Sequence, residues 1–302
     1  MTIQSAYLAK DGLLDLLLQE LGDSEAVVLE NLVLSTNPYK KLFFVQNAWM
    51  NPQLLTINSI KDGARQLRAL APYWAFYPTK LFRRGELILS ELPKRKSAPL
   101  KVLDPLPKLP LGSFTLLDET TILASTHCSS LFANGVIQFE ETKFPPSRAY
   151  LKLYEILTLI QKSPQKNEVC LEIGAAPGSW TWFLAQHSKK VIACDRAPLD
   201  SKITQINPNI EFIQGDAFKL TPDTVGPIDW LFSDIICYPE KLLDYIKLWM
   251  NHKACKNFVC TLKFQGAIDF AIVKEFEKID GSHVVHLYHN KHELTWFKLS
   301  DL

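Results

Sequence analysis

Residues 171–186 read LEIGAAPGSWTWFLAQ, an apolar run that passes through two glycines and a proline into a helix-like segment. Gly174 and Gly178 let the backbone run close to a ligand with no Cβ in the way, and Pro177 stiffens the turn. A helix starting near Gly178 then offers free N–H groups. Such a loop cradles a ligand. It lacks the G-x-G-x-x-G spacing of the dinucleotide fingerprint, and no Gly-Lys-Ser/Thr follows to make it a P-loop. The run VIACD places Asp195 about twenty residues further on, where an acidic side chain takes ribose hydroxyls, and IQGD places Asp216 beside the same loop. Together these positions suit a nucleoside-containing cofactor.

The elements that must hold these residues follow from hydropathy. After KFPPSRAY, apolar runs bounded by turn residues (EVCLEIG, KKVIACD, IEFIQGD, IDWLFSD, NFVCTLK) alternate with helix-like stretches at 178–187, 240–252 and 267–278. That alternation predicts a doubly wound α/β domain over 141–302, with a mostly parallel sheet covered on both faces. Ligands bind such sheets beyond the carboxyl ends of the strands, so the residues just after each strand carry the information. Residues 1–140 read as a smaller α+β domain. Its expected elements are helices near 11–21 and 58–70 and strands at 42–48, 114–118 and 121–126. The segment 80–108 is proline-rich and basic, with eight Lys/Arg against three Asp/Glu, and reads equally as a patch that follows a phosphate backbone or as a solvated loop carrying Pro93, Pro99, Pro105 and Pro107.

The glycine loop, ACDRAP and QGDAF resemble the S-adenosylmethionine site of the FtsJ-like ribose methyltransferases, whose loop usually reads Asp-Leu-Gly-Ala-Ala-Pro-Gly-Gly-Trp. Glu172 and Ser179 depart from that pattern. The resemblance covers about residues 143–302 and implies a Rossmann-like domain with a seven-stranded sheet. It implies S-adenosyl-L-methionine held by Gly174, Ala175, Ala176, Pro177, Gly178, Ser179, Trp180, Asp195, Asp216 and Asp234. It also implies a catalytic Lys-Asp-Lys-Glu set: Lys152 from SRAYLKL, Asp234 from FSDI, Lys263 from TLKF and Glu293 from HNKHELTWF. The implied partner is RNA, with rRNA or a ribosomal precursor particle foremost.

The chemistry asks for such groups. A ribose hydroxyl is a poor nucleophile at neutral pH, whereas a sulfonium methyl is a ready electrophile, so an enzyme must align the oxygen with the methyl and take its proton. Lys263 is the candidate base, because a lysine in a dry pocket near another cation can shed its proton. Lys152 would supply that cation, and Asp234 and Glu293 would orient the amines and the hydroxyl. Taken singly, each residue has a plainer reading. A strand-end lysine is commonly a solvated surface group, Asp234 could cap a helix, Lys152 and Glu293 could lie on the surface, and Trp180 and Trp182 suit core packing.

Other chemistries fit less well. Amino-group methylation usually employs an Asn/Asp-Pro-Pro-aromatic turn where this chain has SDIICYP. Carbon methylation needs a nucleophilic thiol, and neither Cys237 nor Cys260 sits in the expected Pro-Cys or Thr-Cys pair. His283, His286, His289 and His292 have no carboxylate or cysteine set beside them in sequence, so no metal is expected. A cofactor-binding domain that has lost catalysis and serves as an RNA-binding or ribosome-assembly factor is the rival from another class.

Composition agrees with a globular chain. Its 302 residues, 47% hydrophobic, suffice for two domains, and a net charge of +1 excludes a uniformly basic nucleic-acid binder while allowing a local patch. Six cysteines without a CxxC pair read as reduced thiols. No apolar stretch approaches the ~20 residues of a membrane span, and MTIQSAYLAKDG lacks a secretory layout, so a cytoplasmic protein without membrane contact is expected.

Overall fold

The computed structural model describes residues 2–95 and 98–300. It divides into two compact units, Met1–Phe139 and Glu140–Leu302. No helix among the described residues is long and apolar enough to cross a membrane.

The first unit runs β1 (Ser5–Leu8), α1 (Leu14–Leu21), β2 (Val27–Leu29), β3 (Leu32–Ser35), β4 (Asn47–Met50), β5 (Gln53–Thr56), α2 (Ile60–Leu70), β6 (Trp74–Phe76), α3 (Phe82–Ser90), β7 (Gly112–Leu116), β8 (Thr121–Ser125) and β9 (His127–Cys128). Its strands form two sheets, ordered β2-β3-β1-β4-β9 and β5-β8-β7-β6. Ile57, Leu67, Phe76, Ile88, Phe114 and Ile122 belong to the buried cluster that joins α2 and α3 to the second sheet.

Two expectations for this unit need correction. The strand expected at 42–48 pairs only from Asn47 onward. The Glu20 carboxylate on α1 accepts the Phe43 and Phe44 amides at 2.8–3.0 Å, so an acidic side chain takes donors that a ladder would use. The basic segment 80–108 is not all loop, because α3 occupies Phe82–Ser90. Its prolines begin at Pro93, after the helix, and its inner face packs through Gly85 and Ile88. Lys96 and Ser97 of that segment lie outside the described residues.

The second unit runs α4 (Tyr150–Ile160), β10 (Val169–Ile173), α5 (Ser179–His187), β11 (Lys190–Asp195), α6 (Ser201–Ile206), β12 (Ile210–Gln214), α7 (Pro222–Val225), β13 (Ile228–Ser233), α8 (Pro239–Asn251), β14 (Cys255–Leu262), α9 (Phe270–Glu277), β15 (Ser282–Val285) and β16 (Leu294–Lys298). These strands make one seven-stranded sheet, ordered β12-β11-β10-β13-β14-β16-β15. β10 to β14 are mutually parallel, and β16 runs antiparallel to both of its neighbours. The fully buried Trp230, Phe232, Phe258 and Trp296 lie on its central strands. Strand order reverses between β10 and β13, which opens the ligand crevice of a doubly wound sheet at their carboxyl ends. The doubly wound, Rossmann-like expectation and the preceding α+β unit both describe what is observed.

Gly85 shows how closely α3 is seated. A Cβ there would lie 2.0 Å from the Phe76 ring. Alanine is ordinarily the better helix former, yet Gly85→Ala is expected to destabilise the protein by about 1–3 kcal/mol, because the ring has to move within a packed core. A thermal melt of the variant at or above the wild-type midpoint would refute this seating.

Candidate active site

Sheet register brings the charged residues to one edge. Asp234 directly follows β13, and its amide still bonds to Ile173 O at the end of β10 at 3.3 Å. Leu262 of β14 pairs with Leu294 of β16, so Lys263 and Glu293, their chain neighbours, adjoin the same end of this strand pair. Lys152 comes from α4, a helix buried along Tyr150–Thr158, and its side chain is only 11% exposed.

The four charges meet around Asp234. Lys152 Nζ donates to both Asp234 carboxylate oxygens at 2.8 and 2.9 Å and to Glu293 Oε1 at 3.3 Å. Lys263 Nζ donates to the Asp234 carbonyl at 2.5 Å and lies 3.1 Å from its Oδ1. The cluster holds two cations and two anions, which satisfies the demand that charges leaving water be paired and hydrogen-bonded. Asp234 therefore bridges the lysines and caps no helix. Lys263 is the more open of the two, at 22% side-chain exposure.

The glycine loop lies alongside. The Gly174 and Ala175 amides both point to Cys194 O, and Ala176 N donates to Asp195 Oδ2 at 3.0 Å. The Ala176–Pro177 bond is cis, and Gly174 and Gly178 have φ of +76° and +110°. A Cβ on Gly174 would lie 2.5 Å from Ile235 Cα, so glycine is required both for its φ and for the close pass of the backbone that follows Asp234. Asp195 also accepts the Ala197 amide through Oδ1 at 3.0 Å. A carboxylate has about four acceptor sites, so Asp195 keeps capacity for sugar hydroxyls. Asp216 accepts the Phe218 amide at 3.2 Å and caps a short 3₁₀ turn.

The two departures from the family loop have visible work. Ser179 Oγ donates to Ser147 O at 3.1 Å and accepts the Ser147 amide at 3.0 Å, tying the chain before α4 to the start of α5. The N-cap of α5 is Gly178, which has no side chain to cap the helix. Its first N–H groups suit an anionic group. Trp180 is buried, donates its indole N–H to Ala149 O at 2.8 Å and meets Phe232 edge-on. Glu172 is buried and accepts from Thr181 Oγ1 at 2.7 Å. Burial pushes its carboxyl up to about 8 against the Thr181 hydrogen bond, with the nearby Asp234 and Asp195 charges adding to the rise.

Sequence reading missed Glu155. It lies one turn beyond Lys152 on α4, is buried, and accepts the Tyr288 amide at 2.7 Å, the His289 amide at 2.9 Å and His289 Nδ1 at 2.7 Å. It thereby holds the turn that leads into Glu293. The available signal was its i+3 spacing from a chemically marked lysine on the same helix face. His289 is spent on this anchor, and His283 stacks on Phe297 at 5.2 Å. Among the described residues, no group of three or more His, Cys, Asp or Glu is placed to hold a metal ion.

A family model described as FtsJ-like methyltransferase matches residues 145–293. That stretch holds the glycine loop and all four residues of the charge cluster. The chain is also similar to curated relatives named Ribosomal RNA large subunit methyltransferase M. The protein of that name from Halorhodospira halophila is 28% identical over 172 residues, covering 54% of this chain and 49% of its own. The one from Histophilus somni is 30% identical over 183 residues, 54% of this chain and 50% of its own. The one from Idiomarina loihiensis is 25% identical over 236 residues, 72% of this chain and 61% of its own. The first two alignments span about half the length of those relatives.

Glu172 yields a pH test. Its folded carboxyl titrates near 8 and its unfolded one near 4.5, so between these values the native state holds a proton that the unfolded chain lacks. The stabilisation is full below about 4.5 and is lost as pH rises towards 8. Glu172→Gln, which keeps an acceptor for Thr181, is expected to gain stability relative to wild type across that window. Denaturation midpoints that run parallel from pH 5 to 8 would show that Glu172 is already ionised in the fold.

Proposed function

We propose that this chain is an S-adenosylmethionine-dependent RNA methyltransferase acting on a ribose 2′-hydroxyl, with rRNA or a ribosomal precursor as substrate. The observation that carries the reading is the convergence of Lys152, Asp234, Lys263 and Glu293 beside the glycine loop. The printed names of the relatives support RNA as the substrate class.

The loop fits the cofactor. Gly174 and Gly178 keep it free of side chains, Asp195 retains acceptor capacity for a ribose, Asp216 adds a carboxylate next to it, and the uncapped start of α5 suits a carboxylate group. S-adenosylmethionine, when bound, supplies an electrophilic sulfonium methyl. The chain then has to hold the hydroxyl in line and accept its proton. Lys263 is assigned that acceptor role in its neutral amine form, its own proton first released to solvent, to which it is the more open of the two, whereas Lys152 is held by three carboxylate oxygens. Glu293 steadies Lys152, Lys152 holds Asp234 in place, and Asp234 positions Lys263.

Rival chemistries lose support at the same site. Burial pushes the Cys260 thiol well up and the Cys237 thiol up to about 11, which leaves little thiolate for carbon methylation. The intact charge cluster weighs against a purely noncatalytic assembly factor. We assign the first unit the role of presenting RNA.

Transfer of labelled methyl from S-adenosylmethionine to unmodified rRNA, followed by nucleoside mass spectrometry, tests this reading. Lys263→Ala should lower turnover by about 10²- to 10⁴-fold with cofactor affinity nearly intact. Asp195→Ala should instead weaken cofactor binding by about 10- to 100-fold. A methylated base in place of a 2′-O-methyl nucleoside would overturn the assignment, and equal loss of cofactor affinity in both variants would overturn the division of roles.

A further inference from the structure

The first unit contains a cavity of about 520 Å³ around the start of α3. It is lined by Ile60, Leu81, Phe82, Arg83, Arg84 and Leu87, with Glu119 as its acid. Phe82 is 63% exposed, the most of any large apolar side chain among the described residues of this unit, and Leu87 beside it is 43% exposed. The reason they stay outside is geometric. Gly85 presses α3 onto the Phe76 ring and Ile88 enters the core, which fixes the helix and leaves Phe82 at its rim, 6.4 Å from Phe76.

Neither Arg83 nor Arg84 has a carboxylate partner among the described residues, whereas Arg65 and Arg148 each pair with an acid. Arg84 Nε is buried and has no acceptor. A buried donor without an acceptor is costly, and a ligand that brings one removes the cost. An exposed aromatic ring beside two free guanidinium groups is the pairing that single-stranded nucleic acid uses, the ring for a base face and the cations for phosphates.

We propose that this cavity is a binding site for a single-stranded RNA segment, with a base stacked on Phe82 and the flanking phosphates held by Arg83 and Arg84. Glu119 supplies an acceptor for a sugar hydroxyl or a base amino group. This rests on the reading of the chain as an RNA-modifying enzyme and assigns its first unit a specific contact. A protein partner would be better served by an apolar groove whose arginines were already paired; free guanidinium groups favour a polyanion.

The test is fluorescence anisotropy of a labelled oligoadenylate with the full chain over a series of salt concentrations. Phe82→Ala should weaken binding by about 5- to 140-fold, the range expected for loss of one stacked base. The double substitution Arg83→Ala/Arg84→Ala should lower the magnitude of the slope of log affinity against log salt by about 1.4, and Lys101→Ala, an exposed cation outside the cavity lining, should change little. Cofactor affinity and the thermal midpoint serve as controls for folding, and Arg84→Lys should retain the salt slope while losing affinity. Unchanged anisotropy curves in the Phe82 and arginine variants would overturn the site, as would a wild type that does not bind oligoadenylate. Self-association abolished by Phe82→Ala, with RNA affinity unmoved, would reassign the cavity to a second copy of this chain. Methyl transfer by the wild-type chain is scored separately, so failure of this site and failure of the catalytic reading are distinguishable.

Discussion

Everything at the site depends on Asp234 lying between two lysines. Its carboxylate accepts both bonds from Lys152 and faces Lys263 at 3.1 Å, while its carbonyl takes a further bond from Lys263. Burying two ammonium groups this near each other is affordable only with anions in the same place, and Glu293 supplies the second. The demand for pairing explains why four residues so distant in sequence must arrive together. Parallel strands β13 and β14 bring Asp234 and Lys263, the antiparallel β16 brings Glu293, and a buried helix brings Lys152.

The same constraint reaches the glycine loop. The backbone after Asp234 passes so near Gly174 that no side chain fits between them, which couples the charge cluster to the loop with no intervening atoms. Other ties hold the loop from behind. Asp195 accepts the Ala176 amide, Ser179 binds Ser147 ahead of α4, and Glu172 binds Thr181 at the start of α5. Placing Ser and Glu where the family usually has Gly and Asp therefore adds hydrogen bonds to the loop's own frame. Glu155 does the equivalent for the turn before Glu293, gathering two amides and an imidazole on one carboxylate.

The first unit is organised by different physics. Its two sheets bury separate apolar clusters, and the basic segment contributes a helix whose seat is a glycine against a phenylalanine ring. Glu20 illustrates how a long-range contact redirects a local preference, since LFFVQNA has strand-like composition but yields the amides of Phe43 and Phe44 to a carboxylate from α1. A charge-rich composition likewise concealed α3, whose inner face is set by Gly85 and Ile88.

The sequence by itself determined the alternation of strands and helices from Val169 onward, the glycine loop, and the strand-end positions of Asp195, Asp216, Asp234 and Lys263. These are local: hydropathy period, turn residues and strand ends are written in consecutive residues. Lys152 and Glu293 were legible only through resemblance, because nothing in their neighbourhoods marks them. Tertiary structure alone decided that Lys152 meets both Asp234 and Glu293, that Glu155 and Ser147 brace the site, and that Arg83 and Arg84 lie beside an exposed Phe82 with no carboxylate partner among the described residues. Those outcomes follow from strand register and from what remains to satisfy each buried polar group once the sheet has closed, and no short window of sequence contains either.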